Sequence, residues 1–361
     1  MTGIRSNEKT GRLGTDAPRW SLRDPWRNQR GMALLITIMV LALMVVITIQ
    51  YHKTIWQKYS ASHTRKVATQ LKTIAGSAVQ IGCALLRYDG TAATVDSFLD
   101  PWASVWEDDF HGLFPTGAMH LEIIDLSGRL QVNSLAATKG GKGTKTAGQG
   151  RNAQNGSQAI LLRLLQSGAF AVADETQARQ IVDALVDWLD TDERESDHGA
   201  ENSYYRSLNP PYSCKNGPVE YIEELLLVRG MTPQLLFGTG TTKALADYLT
   251  VFGDDGKINI NTAPRLLIKS LDPLIGEEVL DHLDAYRRDP KHAENLGDPQ
   301  WYKNIGGWPS DSMLYDKMLT TQSVFFQVTG AGRLDASEKK MTIVVERVSG
   351  GRLKLLSKNV D

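Results

Sequence analysis

The chain has 361 residues, with 40 Lys and Arg against 41 Asp and Glu, a formal net charge of −1, and two cysteines. That length holds two domains of ordinary size, and the near-neutral charge gives no electrostatic ground for nucleic-acid binding. Two cysteines, Cys83 and Cys214, exclude a disulfide framework and a cysteine-based zinc site, and leave room for one bond at most.

Residues 1–31 have no apolar periodicity, and their basic residues (Arg5, Lys9, Arg12, Arg19, Arg23, Arg27 and Arg30) outnumber Glu8, Asp16 and Asp24. From Met32 through His52 there is no formally charged side chain. That is about 21 residues, roughly 30 Å as a helix, enough to cross a bilayer core. The basic excess before it predicts residues 1–31 in the cytoplasm and the C-terminal part outside. Three readings of the stretch compete. A secretory signal peptide fits poorly, because Gln50-Tyr51-His52-Lys53 is not a small-x-small cleavage site. A plain signal anchor fits the composition. A prepilin-type leader fits Arg30-Gly31-Met32, where a basic segment ends in glycine directly before the apolar run.

The residues beyond the span favour the third reading. No proline occurs between Met32 and Leu99, and Val67, Leu71, Ile74, Ala78, Ile81 and Leu85 form a one-sided stripe at helical period. One helix over 32–89, with 32–52 spanning the membrane, is therefore expected, roughly 85 Å long. Gly76 and Gly82 mark a bend or a close contact, and Tyr88-Asp89-Gly90 ends the helix.

Leu121–Asn133 reads as two short strands around a Ser-Gly turn. Thr138–Ser157 is Gly, Lys, Thr, Asn and Gln with almost nothing apolar, which predicts a flexible loop at a domain junction. From Ala159 to about Leu319 the pattern is mostly helical. Asp174 is placed to cap a helix carrying Ile181, Val182, Leu185, Val186, Trp188 and Leu189. Pro218 can open another, and Thr241–Phe252, Pro264–Leu271, Ile275–Arg288 and Asp311–Leu319 supply shorter ones. After Ser323 the composition switches to strands, at Val324–Thr329, Met341–Val348 and Arg352–Ser357, with Gly-rich turns between. Strands early and late with helices between predict a sheet domain interrupted by an inserted helical domain.

Between Asp187 and Glu201 the carboxylates of Asp187, Asp190, Asp192, Glu193, Glu195, Asp197 and Glu201 face only Arg194 and His198. Charges this close repel, and a hard cation with six to eight oxygen ligands would stabilise such a loop. A solvated acidic loop is the competing reading. The sequence is not an EF-hand, because Arg194 and Ser196 break that pattern. Asn259–Pro264 with Leu266-Leu267 is similar to a helix-hairpin-helix entry, but Lys257, Arg265 and Lys269 face Asp254, Asp255 and Asp272. Helix capping by Thr262 explains that motif without nucleic acid. There is no H-E-x-x-H, no G-x-S-x-G and no P-loop, so no enzyme is expected.

Taken together and in order, several motifs resemble the minor pseudopilin K (GspK) family of type II secretion systems. They are Arg30-Gly31-Met32-Ala33-Leu34-Leu35, Asp125…Val132-Asn133, Asp187-Trp188-Leu189-Asp190-Thr191-Asp192, Gly199–Tyr205, Pro210-Pro211-Tyr212, Glu224-Leu225 before Gly230–Pro233, and Ile258–Pro264. The resemblance covers about residues 30–361. It implies an α+β fold, a pilin-like long N-terminal helix packed on a small antiparallel sheet, with a large inserted all-α domain. The organisation is then a leader over 1–31, the helix over 32–89, a first part of the pilin-like domain over 90–150, the insert over 151–319 and completing strands over 320–361. It also implies cleavage after Gly31 by a prepilin peptidase and methylation of the new amine on Met32. The resemblance further implies a single-pass inner-membrane protein with a periplasmic domain, assembling with other minor pseudopilins and the inner-membrane secretion platform at the tip of a short fibre. Members bind calcium in the insert, which points to Asp187, Asp190, Asp192 and Glu201 as ligands.

Pilins usually carry Glu at the fifth mature position, here Ile36. A carboxylate in lipid needs a partner, and the previous subunit's amine provides it. A subunit with Ile36 lacks that handle but still offers its own amine, which suits a first subunit. A minor pilin of a type IV pilus or uptake system, and a single-pass periplasmic binding protein, remain the alternatives.

Overall fold

In the computed structural model, residues 29–92, 95–105, 110, 112–136, 147–309 and 317–361 are described. The chain divides into two units, residues 1–65 and 66–361. In the first, the described residues belong to the first half of helix α1, Gln29–Ala92, and residues 31–65 bury no side chain. Within α1 lies a stretch long and apolar enough to cross a membrane. Tyr51, Trp56 and Tyr59 come after it, exposed, as aromatic residues do at a bilayer interface. Of the leader expected over 1–31, residues 1–28 lie outside the described residues.

The second unit begins on the same helix, where burial matches the expected stripe. Leu71, Ile74, Ala75, Ala78, Val79 and Leu86 are buried. They meet a four-stranded antiparallel sheet in the order β1–β6–β7–β8. Strand β1 is Ala118–Asp125, β2 Leu130–Gln131, β3 Leu249–Thr250, β4 Ile258–Asn259 and β5 Leu319–Thr320. Strand β6 is Phe325–Leu334, β7 Ser337–Val348 and β8 Arg352–Val360. Leu121, Phe326, Val328, Met341, Ile343 and Val345 line the face beneath α1. The helix lies against β6 at backbone distance. A Cβ on Gly332 would sit 2.5 Å from the carbonyl oxygen of Leu71, and one on Gly330 would overlap that of Ala75. Of Gly76 and Gly82 on α1, Gly82 is the close contact, its Cβ position 2.6 Å from Val328. Gly76 has only ordinary contact.

The sheet is interrupted as expected. Strand β1 pairs with β6, Asp125 opposite Phe326, and the insert lies between them in sequence. It contains α2 (Ala147–Leu165), α3 (Glu175–Leu189), α4 (Asn202–Tyr205), α5 (Pro233–Phe237), α6 (Arg265–Lys269) and α7 (Glu277–Arg288). It has its own core, including Leu130, Ile160, Leu164, Ile181, Leu185, Trp188, Leu225, Leu249, Leu267 and Trp301. The Asp174 side chain caps α3 by accepting from Gln177 N at 2.8 Å.

The α+β class stands, and several element-level expectations are corrected. The insert is helix-rich rather than wholly helical, since β2–β3 and β4–β5 are short parallel pairs. Strands β1 and β2 are not a hairpin. Asp125 Oδ1 accepts from Ser127 N at 2.8 Å, and this turn sends the chain out of the sheet to pair Leu130 with Leu249. Ala147–Ser157, expected as loop, is the start of α2; residues 137–146 are outside the described residues. Pro218 opens no helix. Val219 N and O are both bonded to the side chain of Asn133, so helical bonds start only in the 3-10 segment Ile222–Leu227. Thr241–Phe252 holds one 3-10 turn, Leu245–Asp247, and then β3, as the β-branched Thr250 and Val251 favour. Leu319 begins a strand, and residues 310–316 of the helix expected there are outside the described residues. Thr262 does not cap α6. Its Oγ1 donates instead to Asp125 Oδ2 at 2.5 Å. The two cysteines are free.

Candidate metal centre

The acidic loop runs directly from the end of α3. Its last turn places Asp187 fully inside the protein and Asp190 at the C-cap. A buried carboxylate is costly unless its lone pairs are filled. Asp187 fills them from within the loop, accepting from Ser196 N, from Ser196 Oγ at 2.6 Å and from Ala200 N at 2.8 Å. Gly199 is required here, because a Cβ would overlap Asp187 Oδ2. Asp187 therefore holds the loop in shape, and it is not among the three acids whose oxygens converge. Asp187→Ala should strand the Ser196 and Ala200 amides at a cost of about 2–4 kcal/mol, read as a lowered urea midpoint of the metal-free chain; an unchanged midpoint would refute this role.

The other three expected ligands do converge. Asp190, Asp192 and Glu201 each offer an oxygen, all within 4.8 Å of one another. Asp190 and Asp192 are held by Asx turns, accepting from Asp192 N at 3.2 Å and Arg194 N at 3.0 Å. Glu201 is 2% exposed, and neither of its carboxylate oxygens has a hydrogen-bond partner. Burial, and then repulsion from Asp187, Asp190 and Glu193, push its carboxyl up to about 7, and the neighbouring Cys214 thiol offsets this only in part. An ionised, buried and unpaired carboxylate is one of the least favourable arrangements in a protein.

Asn216 belongs to the same constellation, and no local pattern in the chain marks it. Its Nδ2 donates to the Asp192 carbonyl at 2.9 Å and to Glu193 Oε1 at 3.1 Å. Its Oδ1 is buried without a partner. Its backbone is left-handed, φ 49°, which asparagine tolerates better than most residues. Glu193 is held by Asn202 Nδ2 at 2.6 Å and by Asn216, so it acts as a brace. The donor set is thus all oxygen, anionic and partly orphaned. It fits a hard divalent cation of the calcium type and does not fit a soft metal. Asp190, Asp192 and Glu201 would hold such a cation, which would supply the positive partner that the Glu201 carboxylate lacks. Asp197 and Glu195 are exposed.

Two cations of the helix-hairpin-helix-like segment, Arg265 and Lys269, are engaged by acids. Arg265 pairs with Glu277, Asp281 and Asp284, and Lys269 with Glu277. Asn259 and Asn261 instead bind backbone carbonyls inside the protein, both donating to Asp96 O.

Residues 128–252 match the family model described as type II secretion system (T2SS), protein K. Among similar proteins, the type II secretion system protein K of Klebsiella pneumoniae is 27% identical over 238 residues, 65% of this chain and 67% of that one. The protein of the same name from Dickeya chrysanthemi is 28% identical over 311 residues, 75% of this chain and 81% of that one. A chain in the crystal structure of the GspK-GspI-GspJ complex from the enterotoxigenic Escherichia coli type 2 secretion system superposes with a TM-score of 0.60 at 18% identity, covering 83% of this chain and 99% of that one. That likeness shows a shared fold.

Proposed function

We propose that this chain, which belongs to the type II secretion system protein K family, is a minor pseudopilin that starts a short periplasmic fibre and stands at its tip, supporting protein export across the outer membrane. The observation that carries the proposal is α1. A single uninterrupted helix holds an exposed apolar stretch at one end and, at the other, the stripe on which the sheet is packed. The apolar stretch comes directly after Arg30-Gly31. A helix of that kind can leave the bilayer and enter a fibre without refolding. Ile36 in place of a carboxylate lets the subunit receive a follower through its amine while requiring no predecessor. The partners are then the other minor pseudopilins, by analogy with the complex above, and the inner-membrane platform. The role is structural rather than enzymatic. Calcium in the Asp190–Asp192–Glu201 site rigidifies the insert that the tip presents.

The test is the intact mass of the full chain from inner membranes, with and without a prepilin peptidase. A product beginning at N-methylated Met32, and its loss in Gly31→Leu, is the expected result. A chain that keeps residues before Met32 when the peptidase is present would overturn the pseudopilin reading and return the protein to the plain anchor class. Capture of type IV pilus subunits in place of secretion pseudopilins would assign it to the other pilin system.

A further inference from the structure

Where the insert joins the sheet, four carboxylates lie in one hydrogen-bonded neighbourhood, and a single guanidinium bonds two of them. Arg347 on β7 bonds Asp89 at the end of α1, at 2.9 Å, and Asp96, at 2.5 Å. Asp96 Oδ2 also accepts from Ser323 N at 2.7 Å. Asp100 lies beside them, its Oδ2 accepting from Ser97 N at 2.6 Å; Asp89, Asp96 and Asp100 present oxygens within 4.8 Å of one another. Asp125, at the point where the chain leaves the sheet, accepts from Ser323 Oγ and Thr262 Oγ1, each at 2.5 Å, and from Asn259 Nδ2 at 3.3 Å. Asp89, Asp96 and Asp125 are each less than a tenth exposed. One polar knot thus ties the end of α1, β1, the start of β6, β7 and the Asn259–Thr262 segment of the insert.

The surroundings do not neutralise it. Arg129 and Asp247 line the cleft of about 180 Å³ beside Asp125, together with Thr262, and Glu122 also faces Arg129. Arg287 and Arg288 lie over the Phe98 ring, 5.1 and 4.3 Å from its centroid, and Arg287 is already paired with Asp284. Among the described residues, Arg347 is the guanidinium bonded within this group of four carboxylates, and it reaches only two of them.

We propose that this knot is a proton-operated clasp that holds the insert on the sheet more firmly in mildly acid than in alkaline conditions. Burial raises the carboxyls of Asp125 and Asp100 to about 6 each, and it raises Asp89. A carboxyl raised in the folded state contributes stability that is present below its unfolded value, near 4, and is lost as pH rises through about 6. Proton uptake at Asp125 removes a buried charge while its hydroxyl neighbours rotate to serve as donors or acceptors. The window runs from about pH 4 to 6, with a tail toward 7, and is one that a compartment open to the outside experiences.

Hydrogen exchange on the full chain in detergent, with calcium present to hold the distant acidic loop constant, tests this. After correction for intrinsic rates, residues 120–129 and 257–263 should exchange about fourfold more slowly at pH 5.5 than at pH 7.5 for one titrating carboxyl, and on the order of tenfold for two. Asp125→Asn and, independently, Asp100→Asn should each reduce that ratio. Equal protection at both pH values in the unaltered chain, or an unaltered ratio in both variants, would overturn the proposal. Because the unaltered chain and Asp100→Asn decide the matter, failure of Asp125→Asn to fold leaves it testable.

Discussion

Stripped of divalent metal by chelation and then supplied with calcium at a hundredfold excess over its dissociation constant, the detergent-solubilised chain should gain about 2.7 kcal/mol. For a unit of this size that is a melting temperature raised by roughly 4–5 °C. The calcium shift should disappear when Asp190 and Asp192 are both changed to Asn. Glu201→Gln makes the sharper case. It too should abolish the calcium shift, yet it should raise the melting temperature of the metal-free protein, because it removes a buried negative charge whose oxygens have no partners. Opposite signs in one variant are hard to obtain from a merely structural glutamate. A parent chain indifferent to calcium, or a Glu201→Gln variant less stable without metal, would remove the site.

The second large effect is expected at the helix–sheet seam. Gly330→Val or Gly332→Val places branched carbons where the carbonyl oxygens of Ala75 and Leu71 already stand. The obstruction is backbone, so no side chain can swing aside, and α1 must lift from β6. The loss should exceed about 3 kcal/mol, seen as a collapse of the urea midpoint and cleavage of α1 by trypsin at Lys72. Even Ala should cost more here than at Gly76, where only Met341 is near, at 3.9 Å. Native-like protection of α1 in Gly332→Val would show that the seam is looser than its backbone distances indicate.

These contrasts mark what could be read from the chain alone. The α1 stripe, the Asp174 cap and β6–β8 were legible because their signals are local: a period, a cap residue, a run of β-branched residues between glycines. The pairing of β1 with β6, and of Leu130 with Leu249, was not, because nothing near Leu121 or Leu130 specifies a partner so distant in sequence. The same division runs through the candidate metal centre. Crowding marks seven carboxylates between Asp187 and Glu201, and the resemblance to the protein K family pointed to Asp187, Asp190, Asp192 and Glu201 among them. Asp187 could not be distinguished from the other three, since only the fold reveals that its lone pairs are satisfied by Ser196 and Ala200. Asn216 was invisible, as an Asn-Gly pair reads as a turn and its amide reaches the Asp192 carbonyl and Glu193 only through the folded loop. Thr262 was misread as a cap for a similar reason: its true partner, Asp125, lies 137 residues away.

The placement of the insert between hydrogen-bonded neighbours also sets an order of folding events as the chain emerges from its N-terminal side. Strand β1 emerges early, but β6 cannot meet it until the whole insert has been made. Asp125 and Ser323, which bond each other, are 198 residues apart, and closing so long a loop in an unfolded chain is entropically costly. Prior folding of the insert shortens that loop to the gap between its two ends. Until then α1 has only one edge strand to lie on, and its apolar stripe stays open to chaperones. The subunit's pilin half is therefore the last part to close.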